Sequence, residues 1–191
     1  MTQAWVVLAV VVGYLVGSIS PASLIARARG LDLRAVGSGN PGATNAARAM
    51  GRRVGLVVGL LDVLKGFVPA LVFVPISFDA ALAAGAAAVL GHVTSPWLRG
   101  RGGRGVATSL GAILAVEPFW ALIVLAVFGV VLATSRWVAG ASIAAAAALV
   151  VVALVDRTSV WQLLWAVFLA VVVELRHVPN VVRRYRASWT D

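Results

Sequence analysis

Long apolar runs broken by short charged connections organise this chain. Uncharged or nearly uncharged stretches cover about 4–26, 54–74, 80–98, 105–116, 118–135, 137–155 and 158–173. Several approach the roughly 20 residues that cross the hydrocarbon core of a bilayer as an α-helix. Lipid offers no water to backbone amides, so such segments must satisfy their own hydrogen bonds. The pattern predicts an all-α, polytopic integral membrane protein with seven transmembrane helices. The fourth run is the weakest, because only 12 residues separate Arg104 from Glu117 and Pro118 closes it. A short or broken helix is expected there. Ala26-Arg27-Ala28 imitates a signal-peptide cleavage site, but no basic residue precedes the run and it exceeds the usual 7–15 apolar residues. It reads as a transmembrane helix. No linker interrupts the pattern, and residues 1–191 read as a single membrane domain.

Composition agrees: 61% of residues are hydrophobic and 12% charged, against about a quarter charged in soluble domains. The formal charge of +9 raises nucleic acid as a partner, and the placement of the charges excludes it. Arg27, Arg29, Arg34, Arg48, Arg52 and Arg53 fall in the first connection, Arg99, Arg101 and Arg104 in the third, Arg136 in the fifth, and Arg176, Arg183, Arg184 and Arg186 in the tail. Asp79, Glu117 and Asp156 mark the intervening connections. Short cytoplasmic loops concentrate Lys and Arg, so the amino terminus is expected outside and the carboxyl terminus in the cytoplasm. With no cysteine, and with His92 and His177 far apart, neither a disulfide nor a zinc site is expected. No cofactor or metal is called for.

The stretch "VGSGNPGATNAAR", residues 36–48, contains a literal G-x-G-x-x-G. A dinucleotide fingerprint needs a strand before it and a helix after it; here a membrane helix comes before, so that reading fails. What survives is anion chemistry. Gly37, Gly39 and Gly42 allow backbone N–H groups close to a phosphate, a following helix offers its positive end, and Arg48 reaches back. Ser38, Asn40, Thr44 and Asn45 add neutral donors. The alternative is a flexible turn capped by Thr44 or Asn45.

"RGRGGRGVATS", residues 99–109, repeats the theme with Gly102, Gly103, Arg104, Gly105 and Thr108. It lacks the Lys-Ser or Lys-Thr of a Walker A loop. In "RHVPNVVRR", His177 and Asn180 stand three apart as the last run leaves the membrane, with Pro179 expected to start any helix there. Asp62 and Lys65 lie within a span at a spacing that lets them pair. They read either as part of a cytoplasmic site or as a structural ion pair. His92 reads as structural or as support for the site, and Glu174 as a partner of Arg176 or Arg183.

In these residues the chain resembles the bacterial acyl-phosphate:glycerol-3-phosphate acyltransferases, the PlsY family. The resemblance runs through "GSISPASLIA", "VGSGNPGATNAAR", "LLDVLKGF", "GH" with "GGRGVATSLG", and "RHVPN", in order and over nearly the whole chain. It implies transfer of a fatty acyl group from acyl phosphate to the primary hydroxyl of glycerol 3-phosphate. Ser38 and Arg48, and His177 and Asn180, match the family's catalytic positions. Gly102 to Thr108 match its glycerol-phosphate loop, with Gly37, Gly39, Asn40, Gly42, Thr44, Asn45, Lys65 and Ser142 completing the expected substrate contacts. Membrane lipid and an enzyme that forms acyl phosphate are the implied partners.

The chain departs from the family's pattern in places. Arg99, Arg101 and Arg104 stand where Lys is usual, and Pro21 and Pro96 come one residue late. Of a Ser-Leu-Ser-Ser stretch only Ser142 remains, with Ala139 and Ala141 at other serines, and a glycine-x-glutamate falls at Ala187 to Trp189. The chemistry suits the inventory, because an acyl phosphate is a mixed anhydride with a good leaving group. The enzyme mainly has to hold two anions together. His177 can accept the hydroxyl's proton, or act as an orienting donor to a substrate whose phosphate takes it; the second is preferred, because no carboxylate in the sequence is an obvious partner for the ring. An organic-phosphate transporter and an inactive membrane scaffold are the alternative functions.

Overall fold

The computed structural model describes residues 2–187, apart from the side chains of Thr2, Arg183 and Ala187. All regular structure among the described residues is helical. The single domain expected from the sequence gathers into two compact units, Met1–Glu117 and Pro118–Asp191. The Ser188 to Trp189 end of the family comparison lies outside the described residues.

The first unit contains α1 (Thr2–Ser18), α2 (Pro21–Ala28), α3 (Ala43–Met50), α4 (Arg52–Phe73), α5 (Phe78–Thr94), a 3-10 turn at Pro96–Leu98, and α6 (Val106–Val116). The first apolar run is thus two helices. Ser20 caps α2 by accepting the Ser23 N–H at 3.3 Å, with Pro21 at the first helical position, where its missing N–H costs nothing.

Small residues let the helices approach closely. A Cβ on Gly13 or Gly17 of α1 would run into the backbone of Ala84 or Ala88 of α5. Gly66 of α4 meets the Thr108 carbonyl of α6 in the same way, and Gly111 of α6 meets that of Val63. In lipid, apolar burial does not drive helices together, and close packing of this kind does.

α4 and α5 form a hairpin. Near its turn, Phe73, Ala80, Ala81 and Ala84 cluster with Ala9, and Val116 at the end of α6 packs against them. At the opposite end of the unit the Ser95 hydroxyl donates to the Ser18 carbonyl at 2.6 Å, and the Trp97 indole donates to the Ser18 hydroxyl at 2.9 Å. Residues 29–51 and 95–105 therefore share that end.

Among the described residues, six helical stretches have the length and hydropathy of a membrane span: Gln3–Ala28, Arg52–Phe73, Phe78–Leu98, Pro118–Ser135, Val138–Val155 and Val160–Arg186. The run at 105–116, expected as a seventh, is an 11-residue helix about 16 Å long, half the hydrocarbon thickness. Its shortness has a cause. After α5 the chain folds back along the helix it has just left, with the Gly102 N–H on the Val93 carbonyl and the Gly103 N–H on that of His92. His92 in turn lies 3.6 Å from Asp62, about 15 Å along α4, so α6 starts well inside the unit. The irregular backbone is tolerated there because protein covers it.

The second unit is α7 (Pro118–Ser135), α8 (Val138–Val155) and α9 (Val160–Ala187). The Trp120 indole donates to Asp156 Oδ2 at 3.0 Å, tying the start of α7 to the end of α8. At the other end Arg184 lies 4.7 Å over the ring of Trp137, a cation–π contact. The sequence predicts a helix beginning near Pro179, whereas α9 runs through Pro179 without a break. Packing in the unit tolerates the one hydrogen bond that proline removes. Ala139 and Ala141 are buried, so alanine leaves no hydroxyl there to satisfy.

Candidate functional site

The first glycine loop is held by one side chain. Asn45, third in α3 and buried, donates to the carbonyls of Leu33 at 3.1 Å and Val36 at 3.0 Å. Its Oδ1 accepts the Ser38 N–H at 3.0 Å. Gly37 has φ of +58°, a conformation glycine takes without strain; a side chain here would also strike Asn45 Oδ1. Asn45, expected as a donor to a ligand, thus has its amide committed inside the loop. Capping by Thr44 or Asn45 does not occur either: Gly42 is the N-cap of α3, without a side-chain bond.

Thr44 and Arg48 are one turn apart on α3 and exposed, with Ser38 and Asn40 half-buried nearby in the chain. The carbon that glycine lacks at Gly37 would lie 4.0 Å from Arg48 Cδ, which brings Gly37, Ser38, Thr44 and Arg48 into one neighbourhood.

The second loop joins the first through Arg34, whose Nη2 donates to the Leu98 carbonyl at 3.2 Å. Charge alone gave no sign of this joint. Gly105, with φ of +86°, is the N-cap of α6 and accepts the Ser109 N–H at 2.7 Å. Arg104 is half-buried, and Thr108 is fully buried with no hydrogen-bond partner for its hydroxyl among the described residues.

The glycine N–H groups differ from the expectation. Those of Gly39 and Gly42 bond the carbonyls of Val36 and Asn40, and those of Gly102 and Gly103 bond Val93 and His92. The first two close turns within their own loop, and the last two point back onto α5. The N–H groups with no acceptor within their own helix are those in the first turns of α3 and α6, at the positive end of each helix. Arg104 lies two residues before the start of α6, and Arg48, in the last turn of α3, reaches Gly37 of the loop before that helix.

Lys65 is also turned inward. Its ammonium lies 2.9 Å from Asp62 Oδ1 and donates to the Ile19 carbonyl at 2.8 Å, and both side chains are buried. Between the two sequence readings of this pair, the geometry fits the ion pair, which holds α4 against the α1–α2 break.

In the second unit, His177 is buried and its Nδ1 lies 2.7 Å from the Val173 carbonyl one turn earlier. A carbonyl only accepts, so Nδ1 carries the hydrogen and Nε2 of the neutral ring is the acceptor nitrogen. Asn180, half-buried, follows on α9. The buried Ser142 hydroxyl donates to the Val138 carbonyl at 2.8 Å, which leaves its oxygen to accept.

Comparison with known proteins identifies the family. The family described as "Glycerol-3-phosphate acyltransferase" matches residues 7–187. The glycerol-3-phosphate acyltransferase of Geobacter sulfurreducens is 47% identical over 175 residues, 90% of each chain. That of Myxococcus xanthus is 42% identical over 98% of each chain. Among solved structures, the crystal structure of PlsY, an integral membrane glycerol 3-phosphate acyltransferase, in its glycerol 3-phosphate form superposes with a TM-score of 0.91 at 38% identity, covering 95% of this chain and 92% of that one. Its lysophosphatidic acid form gives 0.88 at 36% identity over the same shares. The chain belongs to the glycerol-3-phosphate acyltransferase family.

Proposed function

We propose that this protein transfers a fatty acyl group from acyl phosphate to the sn-1 hydroxyl of glycerol 3-phosphate, giving lysophosphatidic acid and phosphate. The observation that carries the reading is the meeting of two loops at one end of the first unit, joined by Arg34 on the Leu98 carbonyl. Each leads into a helix start with an arginine at hand, an arrangement suited to two phosphates. The likeness to a PlsY crystallised with glycerol 3-phosphate supports assigning one of them to that substrate.

In the reaction the hydroxyl oxygen attacks the acyl carbonyl carbon, the bond from that carbon to the phosphate oxygen breaks, and phosphate departs. The hydroxyl proton passes to His177 Nε2 or to a phosphate oxygen. Arg48, with Ser38, Asn40 and Thr44, holds one anion, and Arg104, the start of α6 and Thr108 hold the other, offsetting their mutual repulsion. Asn45 and Lys65 enter as braces of this end, and Gly37, Gly39, Gly42, Gly102, Gly103 and Gly105 as the residues that let the loops fold tightly. Asn180 and Ser142 orient substrate alongside His177.

Purified protein given glycerol 3-phosphate and, in turn, acyl phosphate, acyl-CoA and acyl carrier protein of equal chain length is expected to form lysophosphatidic acid with acyl phosphate. Efficient turnover with acyl-CoA alone would reject the donor. An enzyme that forms acyl phosphate is the upstream partner on this reading.

The charge pattern supports an outside amino terminus and a cytoplasmic carboxyl terminus in a bacterial inner membrane, with loops 27–53 and 99–104 in the cytoplasm. On this reading α6, reached from the cytoplasmic side by the folded-back segment, is the seventh crossing. Ser38→Cys is expected to react with an impermeant maleimide from the cytoplasmic side of inverted vesicles and not from outside intact cells; the reverse pattern overturns the topology.

A further inference from the structure

His92 is buried in the last turn of α5, in contact with both the polar core of the first unit and the second glycine loop. Its Nδ1 lies 3.6 Å from Asp62 Oδ1, too far for a hydrogen bond and near enough for the carboxylate to orient the ring. Lys65 fixes that carboxylate from the other side at 2.9 Å. The far edge of the imidazole faces Gly103. A Cβ added there would meet Nε2 first, then Cε1 at 2.6 Å and Cδ2 at 3.0 Å. Gly102 differs, since its added Cβ would strike the His92 backbone carbonyl. Neither residue is among the glycines with positive φ, so each is a glycine for space.

We propose that His92 is a positioning residue for glycerol 3-phosphate binding: its imidazole, held between Asp62 and Gly103, is the wall on which the 102–105 turn is seated. Gly103 is glycine to admit this ring. The seating fixes where Gly105 hands the chain to α6, and hence where the first-turn N–H groups and Arg104 stand. The inference rests on the acyltransferase reading, which makes this turn the phosphate site.

A steric swap tests it. Gly103→Ala is expected to weaken glycerol 3-phosphate binding, measured by calorimetry without any acyl donor, by about tenfold. The Michaelis constant for that substrate should rise in parallel, with little change in kcat. His92→Asn removes Nε2 and Cε1, the two ring atoms nearest the added carbon. The double variant Gly103→Ala with His92→Asn is expected to bind within about threefold of wild type. Gly102→Ala should gain nothing from His92→Asn, because its clash is with backbone. A double variant no better than Gly103→Ala alone, with wild type binding normally, overturns the inference and leaves the acyltransferase reading standing. Wild type that binds no glycerol 3-phosphate overturns both. Should His92→Asn fail to accumulate, His92→Ser opens the same space and carries the same comparison.

Discussion

Lys65→Met is expected to destabilise the first unit by about 3–5 kcal/mol, the cost of leaving one partner of a buried ion pair without the other. The ammonium bridges two acceptors, Asp62 Oδ1 at 2.9 Å and the Ile19 carbonyl at 2.8 Å. Methionine matches its length but donates to neither, so a carboxylate and a carbonyl are left facing an apolar chain within a membrane helix bundle. Since Ile19 lies in the break between α1 and α2, the break loosens as well. The measurement is the fraction of protein remaining monodisperse in detergent after a graded heat challenge. Asp62→Asn combined with Lys65→Met removes the stranded charge and is expected to recover most of the loss, because neutral replacements of whole buried pairs are often tolerated. A single Lys65→Met variant as heat-resistant as wild type would show that the pair does not hold these helices.

How much of this was open to reading from the sequence varies with the range of the interaction. Span positions were legible because lipid imposes one pattern on every crossing: the apolar runs at 54–74 and 137–155 sit within a residue or two of α4 and α8. The weakness of the fourth run was visible in Arg104, Glu117 and Pro118. Its reason was not, since the fold-back of residues 95–105 depends on Gly102 and Gly103 meeting His92, ten residues away in sequence. The break at Ile19 and Ser20 had a local sign in Ser20-Pro21, an N-cap followed by proline, that the long apolar run obscured. Pro179 misled in the opposite sense, because tertiary packing carries α9 through it.

The glycine loops divide in the same way. Residue types pointed to loops that open into helices, and helices do start at Ala43 and Val106. The direction of each N–H was hidden, because it depends on carbonyls supplied by Val36, His92 and Val93. Asn45 looked like one more polar donor; only the positions of Leu33 and Val36 reveal it as the brace of its own loop.

His177→Ala is expected to lower kcat by about 10²–10⁴-fold, the usual contribution of a positioned general base, with a smaller change in the Michaelis constant for glycerol 3-phosphate. The sequence offered no carboxylate to orient this histidine, which favoured a role as an orienting donor. The Val173 carbonyl at 2.7 Å from Nδ1 supplies the missing orientation. In the neutral ring this leaves Nε2 as the acceptor, able to take a hydroxyl proton. His177→Asn separates the two roles. Its amide can still donate to Val173, yet it cannot take up a proton near neutral pH, so its kcat should fall as far as that of the alanine variant. Both variants are compared at equal amounts of monodisperse protein, because a residue this buried also packs the helix. If His177→Asn retains more than about a tenth of wild-type kcat, less than the smallest loss expected of a general base, the proton goes to a phosphate oxygen of the substrate and the histidine serves only to place it.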